Sequence, residues 1–223
     1  NNLKINELQR KSLTSAERPI NIIPLENYKG KIALNAVAPG LNQLGVMLPY
    51  SGILQLLANE LNFPIVATSG NIHSSPIIGN NEESFEKLKQ VADFFVQHPL
   101  LISHPQDDSV VKFSAKFNQQ VLFRRARGYA PNYFEAKLNS QEKIMAMGAD
   151  LKSSIAFYPN EYLYVSQYLG NLQNFDVYKR FTATVNSFIS IVKFRRGSIK
   201  CDVHVDTRFK SCFFYGELVF EWK

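Results

Sequence analysis

Short apolar runs alternate with segments of helical periodicity along the first 130 residues, and this alternation limits the fold more than any other feature. Residues 19–24, 44–48 and 64–67 are short apolar runs bounded by proline or polar residues, a pattern typical of buried strands. Between them, residues 51–61 repeat leucines at helical spacing, and Asn80 or Asn81 is placed to cap a further helix. Strands that alternate with helices predict an α/β domain whose sheet is at least partly parallel.

Three further segments complete this first domain. Residues 100–103 are another short apolar run, and we predict a strand there. Residues 109–113 and 121–125 flank a polar turn, which predicts a β-hairpin. The helix that starts near Asn81 is expected to extend its apolar face as far as Phe95.

The pattern changes at residues 135–143, which are polar and lack apolar periodicity, so we place a domain boundary there. Beyond it we predict strands at residues 144–149, 153–158 and 162–167, followed by a helix from about residue 175 to residue 194. The predicted divisions are residues 1–136 for the first domain, residues 142–210 for the second and residues 211–223 for a separate tail.

The balance of charge favours an anionic ligand. The chain carries 25 basic and 19 acidic residues, a net charge of +6, which suits a nucleotide but does not by itself indicate a nucleic-acid binder. No apolar run approaches the roughly 20 residues that cross a bilayer, so we expect no membrane association. The two cysteines form no disulfide scaffold, and the expected location is therefore the cytoplasm.

Polar residues gather in three clusters that each follow or precede an apolar run. The first cluster, residues 68–71, offers hydroxyls and an amide for phosphate. The second, residues 107–109, offers carboxylates for Mg²⁺ or a ribose, and the third, residues 124–128, offers guanidinium groups for phosphate charge. Each cluster alone is more often an ordinary turn or a solvated face, but three in one domain favour nucleotide binding. The candidate nucleotide-binding residues are Thr68, Ser69, Asn71, Asp108, Ser109, Arg124 and Arg127. The four histidines are too scattered for a metal site, and no residue is assigned a catalytic role.

Four strings in the first domain carry a family resemblance. They are residues 38–42 (Ala-Pro-Gly-Leu-Asn), 68–77 (Thr-Ser-Gly-Asn-Ile-His-Ser-Ser-Pro-Ile), 107–111 (Asp-Asp-Ser-Val-Val) and 124–131 (Arg-Arg-Ala-Arg-Gly-Tyr-Ala-Pro). In this order and spacing they resemble the YrdC-like domain of the HypF family of hydrogenase-maturation carbamoyltransferases. The resemblance implies a twisted mixed sheet with helices, and it implies that residues 68–77 form the nucleotide loop.

The second half resembles the same family. Residues 147–153 (Met-Gly-Ala-Asp-Leu-Lys-Ser) are similar to the phosphate turn that opens the family's carbamoyltransferase domain, which has the actin/sugar-kinase-like fold. On this basis Lys152 and Ser153 are candidates for a second nucleotide site. Asp150 departs from the family's pattern because it places a carboxylate where phosphate would approach. The resemblance covers roughly residues 8–208, and residues after 210 match nothing in the family.

The resemblance implies a reaction and its partners. In the family, carbamate derived from carbamoyl phosphate condenses with ATP and Mg²⁺ to give carbamoyl adenylate and pyrophosphate. The carbamoyl group then passes to the C-terminal cysteine thiol of HypE, so a HypE-like acceptor protein is the expected partner. Zinc belongs to the longer members of the family, and we find no zinc ligands in this chain.

Two motifs of the family have no counterpart at their expected places in this sequence: a Lys-x-Arg motif in the first part of the YrdC-like domain, which contacts the triphosphate, and a His-rich metal motif in the carbamoyltransferase domain. We therefore expect a partial or degenerate copy that binds nucleotide without completing the reaction. Two other functions stay open. A YrdC-like module could bind double-stranded RNA weakly through a basic surface formed by Arg124, Arg125, Arg127, Lys112 and Lys116. A threonylcarbamoyl-adenylate synthase of tRNA modification would show threonine-dependent turnover of ATP.

Overall fold

The computed structural model describes residues 3–26, 28–137, 143–159, 161–192, 209–214 and 217–222. These residues form two compact units. The first unit contains residues up to 69 together with residues 107–129, and the second contains residues 70–106 and the chain from residue 130 onward.

The first unit is built on a four-stranded sheet. Its elements are α1 (Glu7–Thr14), β1 (Ile20–Pro24), α2 (Leu34–Val37), β2 (Gln43–Val46), α3 (Gly52–Leu61), β3 (Val110–Phe113) and β4 (Gln120–Arg124). The strand order is β2-β1-β3-β4. Strand β1 is antiparallel to β2 and parallel to β3, and β3 and β4 form an antiparallel hairpin. This confirms the predicted α/β class, the mixed sheet and the hairpin.

Local sequence accounts for the element that covers the sheet. The side chain of Asn6 accepts a hydrogen bond from the Gln9 amide, and the side chain of Gln9 accepts one from the Asn6 amide, so α1 begins with a capping box. Helix α1 contacts β1. The core of this unit is small: Leu13, Ile23 and Val111 are buried.

The second unit contains α4 (Asn81–Leu88), β5 (Tyr133–Glu135), β6 (Ile144–Ala146), β7 (Ala156–Tyr158), β8 (Tyr162–Val165), α5 (Phe175–Val192), β9 (Phe209–Phe214) and β10 (Glu217–Trp222). An antiparallel sheet has the order β5-β8-β7-β6, and β9 and β10 pair separately as an antiparallel hairpin. Phe157 and Val185 are fully buried in the main core. The ring of Phe157 stacks on Phe188 with centroids 4.5 Å apart.

Three predicted elements are wrong. Residues 64–67 and 100–103 form no strand, and both segments are exposed. Val66 is 74% exposed and Leu101 is 87% exposed. An apolar run becomes a strand only where another strand pairs with it, and neither run pairs with a strand among the residues that the structure describes. The helix that Asn80 caps ends at Leu88 rather than near Phe95, because residues 89–91 form a tighter turn in which the Val91 amide donates to the carbonyl of Leu88, three residues back.

Several predicted strands are shorter than expected. Strand β6 ends at Ala146 and β7 begins only at Ala156. The residues before β7 bond outside the ladder: the Ser153 amide donates to the Gly170 carbonyl and the Ile155 amide to Ser166 Oγ. Residues 193–208, which include Cys201 and the end of the predicted helix at 194, lie outside the described residues. Among the described residues, no helix combines the length and the apolar character needed to cross a membrane.

Candidate functional site

The β3–β4 hairpin brings two of the predicted clusters together. Asp108 and Ser109 directly precede β3, and Arg124 to Arg127 end and follow β4. Because the two strands are antiparallel, the start of β3 lies beside the end of β4. Asp108 and Arg127 form an isolated bridge there. The structure therefore joins Asp108, Ser109, Arg124 and Arg127 at one end of the sheet.

Ser109 is fully buried, and its hydroxyl is used inside the protein. The Oγ donates to the Arg127 carbonyl at 2.9 Å and accepts from the Ala126 amide at 2.8 Å. The Ser109 carbonyl accepts from the Ile20 amide at 2.8 Å, which ties the same residue to β1. Ser109 thus fixes residues 126–127 against the sheet. Its predicted contact with a nucleotide stays a prediction.

Arg127 is held from four sides. Its Nε donates to Asp108 Oδ1 at 2.8 Å, and the two side chains are 23% and 20% exposed. Its terminal nitrogens donate to the carbonyls of Glu17 at 3.0 Å and Arg18 at 3.1 Å. The Tyr50 ring lies against the guanidinium, with 3.6 Å between Arg127 Cζ and the ring centroid. We call Arg127, Asp108, Tyr50 and the two carbonyls the Arg127 clamp.

Sequence reasoning did not select Tyr50 as a site residue. Burial raises the pKa of its phenol, the negative charge of Asp108 raises it further, and Arg127 acts in the opposite direction. The phenol is therefore protonated at neutral pH and presents a flat, uncharged face to the guanidinium. Tyr50 follows Pro49 shortly after β2 and lies outside the four strings that carry the family resemblance, so no motif marked it.

Arg124 differs from Arg127 in how many donors it has used. Its Nε donates to the Asp108 carbonyl at 2.7 Å. In the part of the chain that the structure describes, this is the one hydrogen bond that the Arg124 side chain makes, so four of its five guanidinium donors have no partner in the protein. Of the two candidate arginines, Arg124 therefore has more donors left for an anion, because Arg127 already uses three of its five.

The predicted nucleotide loop is divided between the two units. Thr68 and Ser69 belong to the first unit and lie in an exposed segment without regular secondary structure. Asn71 belongs to the second unit. Its Nδ2 donates to the carbonyls of Ile72 at 3.0 Å and Ser75 at 3.1 Å, and these bonds shape the following turn. The roles predicted for the three side chains in ligand binding remain predictions.

The second predicted site lies in the turn between β6 and β7. Lys152 has a φ of 53°, and its amide donates to Asn171 Oδ1 at 3.0 Å. Ser153 is fully buried, and its Oγ has no partner among the described residues. Asp150 Oδ2 accepts from Gln173 Nε2 at 3.2 Å. Residues 170–173 therefore hold this turn closed on one side.

One concave feature lies away from the predicted residues. A cavity of about 550 Å³ in the first unit is lined by Pro24, Gln43, Phe113 and Val121, at the opposite end of the sheet from Asp108. None of the candidate residues lines it. Concavity alone does not select a site, and we place more weight on the cluster that carries the charged groups. The described residues contain no group of three or more His, Cys, Asp or Glu side chains that could hold a metal ion.

Two family models match the chain in succession. The Sua5/YciO/YrdC model, described as telomere recombination, matches residues 2–126. The model of the HypF Kae1-like domain matches residues 139–213. The fold and the first match together define a YrdC-class α/β domain, which is followed by part of a Kae1-like domain.

Curated relatives and solved structures agree on one family. A carbamoyltransferase HypF from Synechocystis sp. is 36% identical over 201 residues, which cover 90% of this chain and 26% of that protein. A probable carbamoyltransferase HypF from Methanocaldococcus jannaschii is 31% identical over 202 residues, with the same two shares of 90% and 26%. The chain thus spans about a quarter of the length of these relatives.

Two HypF structures contain a segment of the same fold. The crystal structure of full-length HypF in the phosphate- and nucleotide-bound form superposes with a TM-score of 0.82 at 33% identity, covering 91% of this chain and 31% of that one. The structure of T. kodakarensis HypF gives a TM-score of 0.76 at 32% identity, with shares of 84% and 24%. The chain belongs to the HypF carbamoyltransferase family.

Proposed function

We propose that this chain supplies an ATP-binding part of a HypF-type carbamoyltransferase, with the nucleotide phosphates at the end of the β3–β4 hairpin. The observation that carries the proposal is Arg124, a guanidinium held by one bond to the Asp108 carbonyl at 2.7 Å with its other donors available. A guanidinium suits phosphate because it donates two parallel hydrogen bonds. Support comes from family membership and from a relative of the same fold that was solved with nucleotide and phosphate bound.

The other candidate residues have distinct roles in this proposal. The exposed hydroxyls of Thr68 and Ser69 donate to phosphate or ribose, and Asn71 holds the turn that follows them. Asp108 already pairs with Arg127, so its carboxylate does not fit the role of a free Mg²⁺ ligand, and we derive no role for it in holding the metal. Lys152 and Ser153 are proposed for a second nucleotide site, where the charge of Asp150 opposes the binding of phosphate.

The reaction proposed for the whole carbamoyltransferase is the formation of carbamoyl adenylate and pyrophosphate from ATP and carbamate derived from carbamoyl phosphate. The carbamoyl group then passes from the adenylate to the C-terminal cysteine thiol of a HypE-like acceptor in the cytoplasm, and AMP and a proton are released. What this chain would contribute is positive charge at the phosphates and an ordered strand end. The positive charge and the ordered strand end both favour a reaction between two anionic reactants, because they stabilise the negative charge at the phosphates.

The test combines ATP binding with ATP–pyrophosphate exchange on the purified chain. We expect saturable binding of ATP and little exchange dependent on carbamoyl phosphate, which is the result that a partial or degenerate copy would give. Robust exchange would show that the chain is not a partial copy. Absence of ATP binding would contradict the proposed function, and RNA binding that weakens steeply with salt would then favour the RNA-binding alternative.

A further inference from the structure

We propose that Arg127 is a positioning residue, which orders the β3–β4 strand end so that Arg124 can reach the anion, and does not itself contact the ligand. This inference rests on the ATP site proposed above and assigns different tasks to two arginines three residues apart. The sequence predicted one task, the supply of charge to phosphate, for both.

Every nitrogen of the Arg127 guanidinium already donates to the protein, which uses three of its five N–H donors. Nε donates to Asp108, and the terminal nitrogens donate to the carbonyls of Glu17 and Arg18. The Tyr50 ring covers one face of the guanidinium at 3.6 Å. A phosphate could replace these contacts only by leaving two carbonyls and a carboxylate in partly buried surroundings without donors.

Asp108 links the two arginines. Its carboxylate accepts from Arg127 Nε at 2.8 Å, while its carbonyl accepts from Arg124 Nε at 2.7 Å. Fixing the Asp108 side chain therefore also fixes the carbonyl that orients Arg124. Because the charges of Arg127 and Asp108 form an ion pair, Arg124 is the one of these two arginines whose positive charge is left for a ligand.

The Arg127 clamp joins segments that are distant in the sequence. Arg127 connects the α1–β1 connection at Glu17 and Arg18 to the strand end, and its own amide donates to the Asp107 carbonyl at 3.1 Å. Gly128 allows this close approach, since a Cβ there would lie 2.7 Å from Glu17 Cα. A lysine would keep the charge but could not make three in-plane bonds and stack on a ring.

The experiment is a double-mutant cycle on the intact chain with ATP as the probe. The variants are Arg127→Lys, Arg124→Gln and the double variant, and Arg10→Lys is the control because Arg10 is exposed and pairs weakly with Glu7 at 3.9 Å. Amide exchange is measured in parallel at Ile20, Ala126 and Arg127, whose amides bond within the linked segments. Asp108→Asn, which keeps the carbonyl but removes the ion pair, serves if Arg127→Lys does not fold.

We expect Arg127→Lys to weaken ATP binding at least tenfold although charge is retained, and to accelerate exchange at the three amides. We also expect the double variant to bind within about twofold of Arg124→Gln alone, because a residue that acts through another adds nothing once that residue is removed. Additive losses, or unchanged binding in Arg127→Lys, would overturn the proposal. If the unmodified chain binds no ATP, the proposed function fails, and unchanged amide exchange in Arg127→Lys would separately refute the clamp.

Discussion

Replacing Ser109 with alanine tests whether the buried hydroxyl supports the strand end. The Oγ donates to the Arg127 carbonyl at 2.9 Å and accepts from the Ala126 amide at 2.8 Å, and both Ser109 and Ala126 are fully buried. Alanine removes both bonds and brings no replacement partner. The Ala126 amide would then be a buried donor without an acceptor, which is costly in a protein interior.

The expected loss of stability follows from these two bonds. An ordinary intramolecular hydrogen bond contributes about 0.5–1.5 kcal/mol net, and a buried group left unsatisfied costs about 1–3 kcal/mol. We therefore expect Ser109→Ala to lower the free energy of unfolding of the first unit by about 2–3 kcal/mol. The matched control is Ser114→Ala on the same hairpin, where the Oγ accepts one longer bond of 3.3 Å from the exposed Phe117 amide. We expect its effect to stay within about 0.5 kcal/mol.

The assay is urea unfolding followed by amide exchange in peptides from residues 107–129, which report on the first unit alone. Equal stability of Ser109→Ala and Ser114→Ala would refute the reasoning. If Ser109→Ala kept full stability but lost ATP binding, the hydroxyl would serve the ligand and not the protein.

Three other changes test further parts of the structure. Gly128→Ala should destabilise the first unit by about 2–4 kcal/mol in urea unfolding, because the φ of Gly128 is +87° and the new Cβ would meet Glu17 Cα at 2.7 Å. The control Gly52→Ala, which has open space around the new Cβ, should be nearly neutral. The pKa of Tyr50 is raised, so the folded chain keeps the phenolic proton at a pH where the unfolded chain loses it, and stability should fall as pH rises above about 10. Tyr50→Phe should reduce that fall. Identical pH profiles of stability for the two chains would contradict the raised pKa of Tyr50. Phe157→Ala should cost the second unit about 3–5 kcal/mol by leaving a cavity against Phe188, and a loss below 1 kcal/mol would mean that the core is not packed as described.

The elements that the sequence predicted well have local signals. Helix α3 begins after Ser51, whose Oγ accepts from the Leu54 amide, and the β3–β4 hairpin joins two apolar runs by a polar turn. The two wrong strands had only apolar composition in their favour. Strand formation depends on a pairing partner elsewhere in the chain, and four apolar residues do not specify one.

The candidate site was predictable in part for the same reason. The hairpin, itself a local feature, places Asp108 and Ser109 beside Arg124 and Arg127. The separate tasks of the two arginines were not predictable, because the acceptors of Arg127 include the carbonyls of Glu17 and Arg18, more than a hundred residues away. Any residue type can supply a backbone carbonyl, so a sequence motif does not indicate which carbonyls accept these hydrogen bonds.

The central claim is that a nucleotide binds at the β3–β4 strand end through Arg124. The most direct measurement is calorimetric titration of ATP with Mg²⁺ into the intact chain and its Arg124→Gln variant, with Arg10→Gln as the exposed-arginine control. We predict saturable binding that Arg124→Gln weakens by about tenfold or more, the effect of losing hydrogen bonds to a charged group worth about 1.5–3 kcal/mol. Equal ATP affinity in Arg124→Gln and Arg10→Gln would contradict the claim.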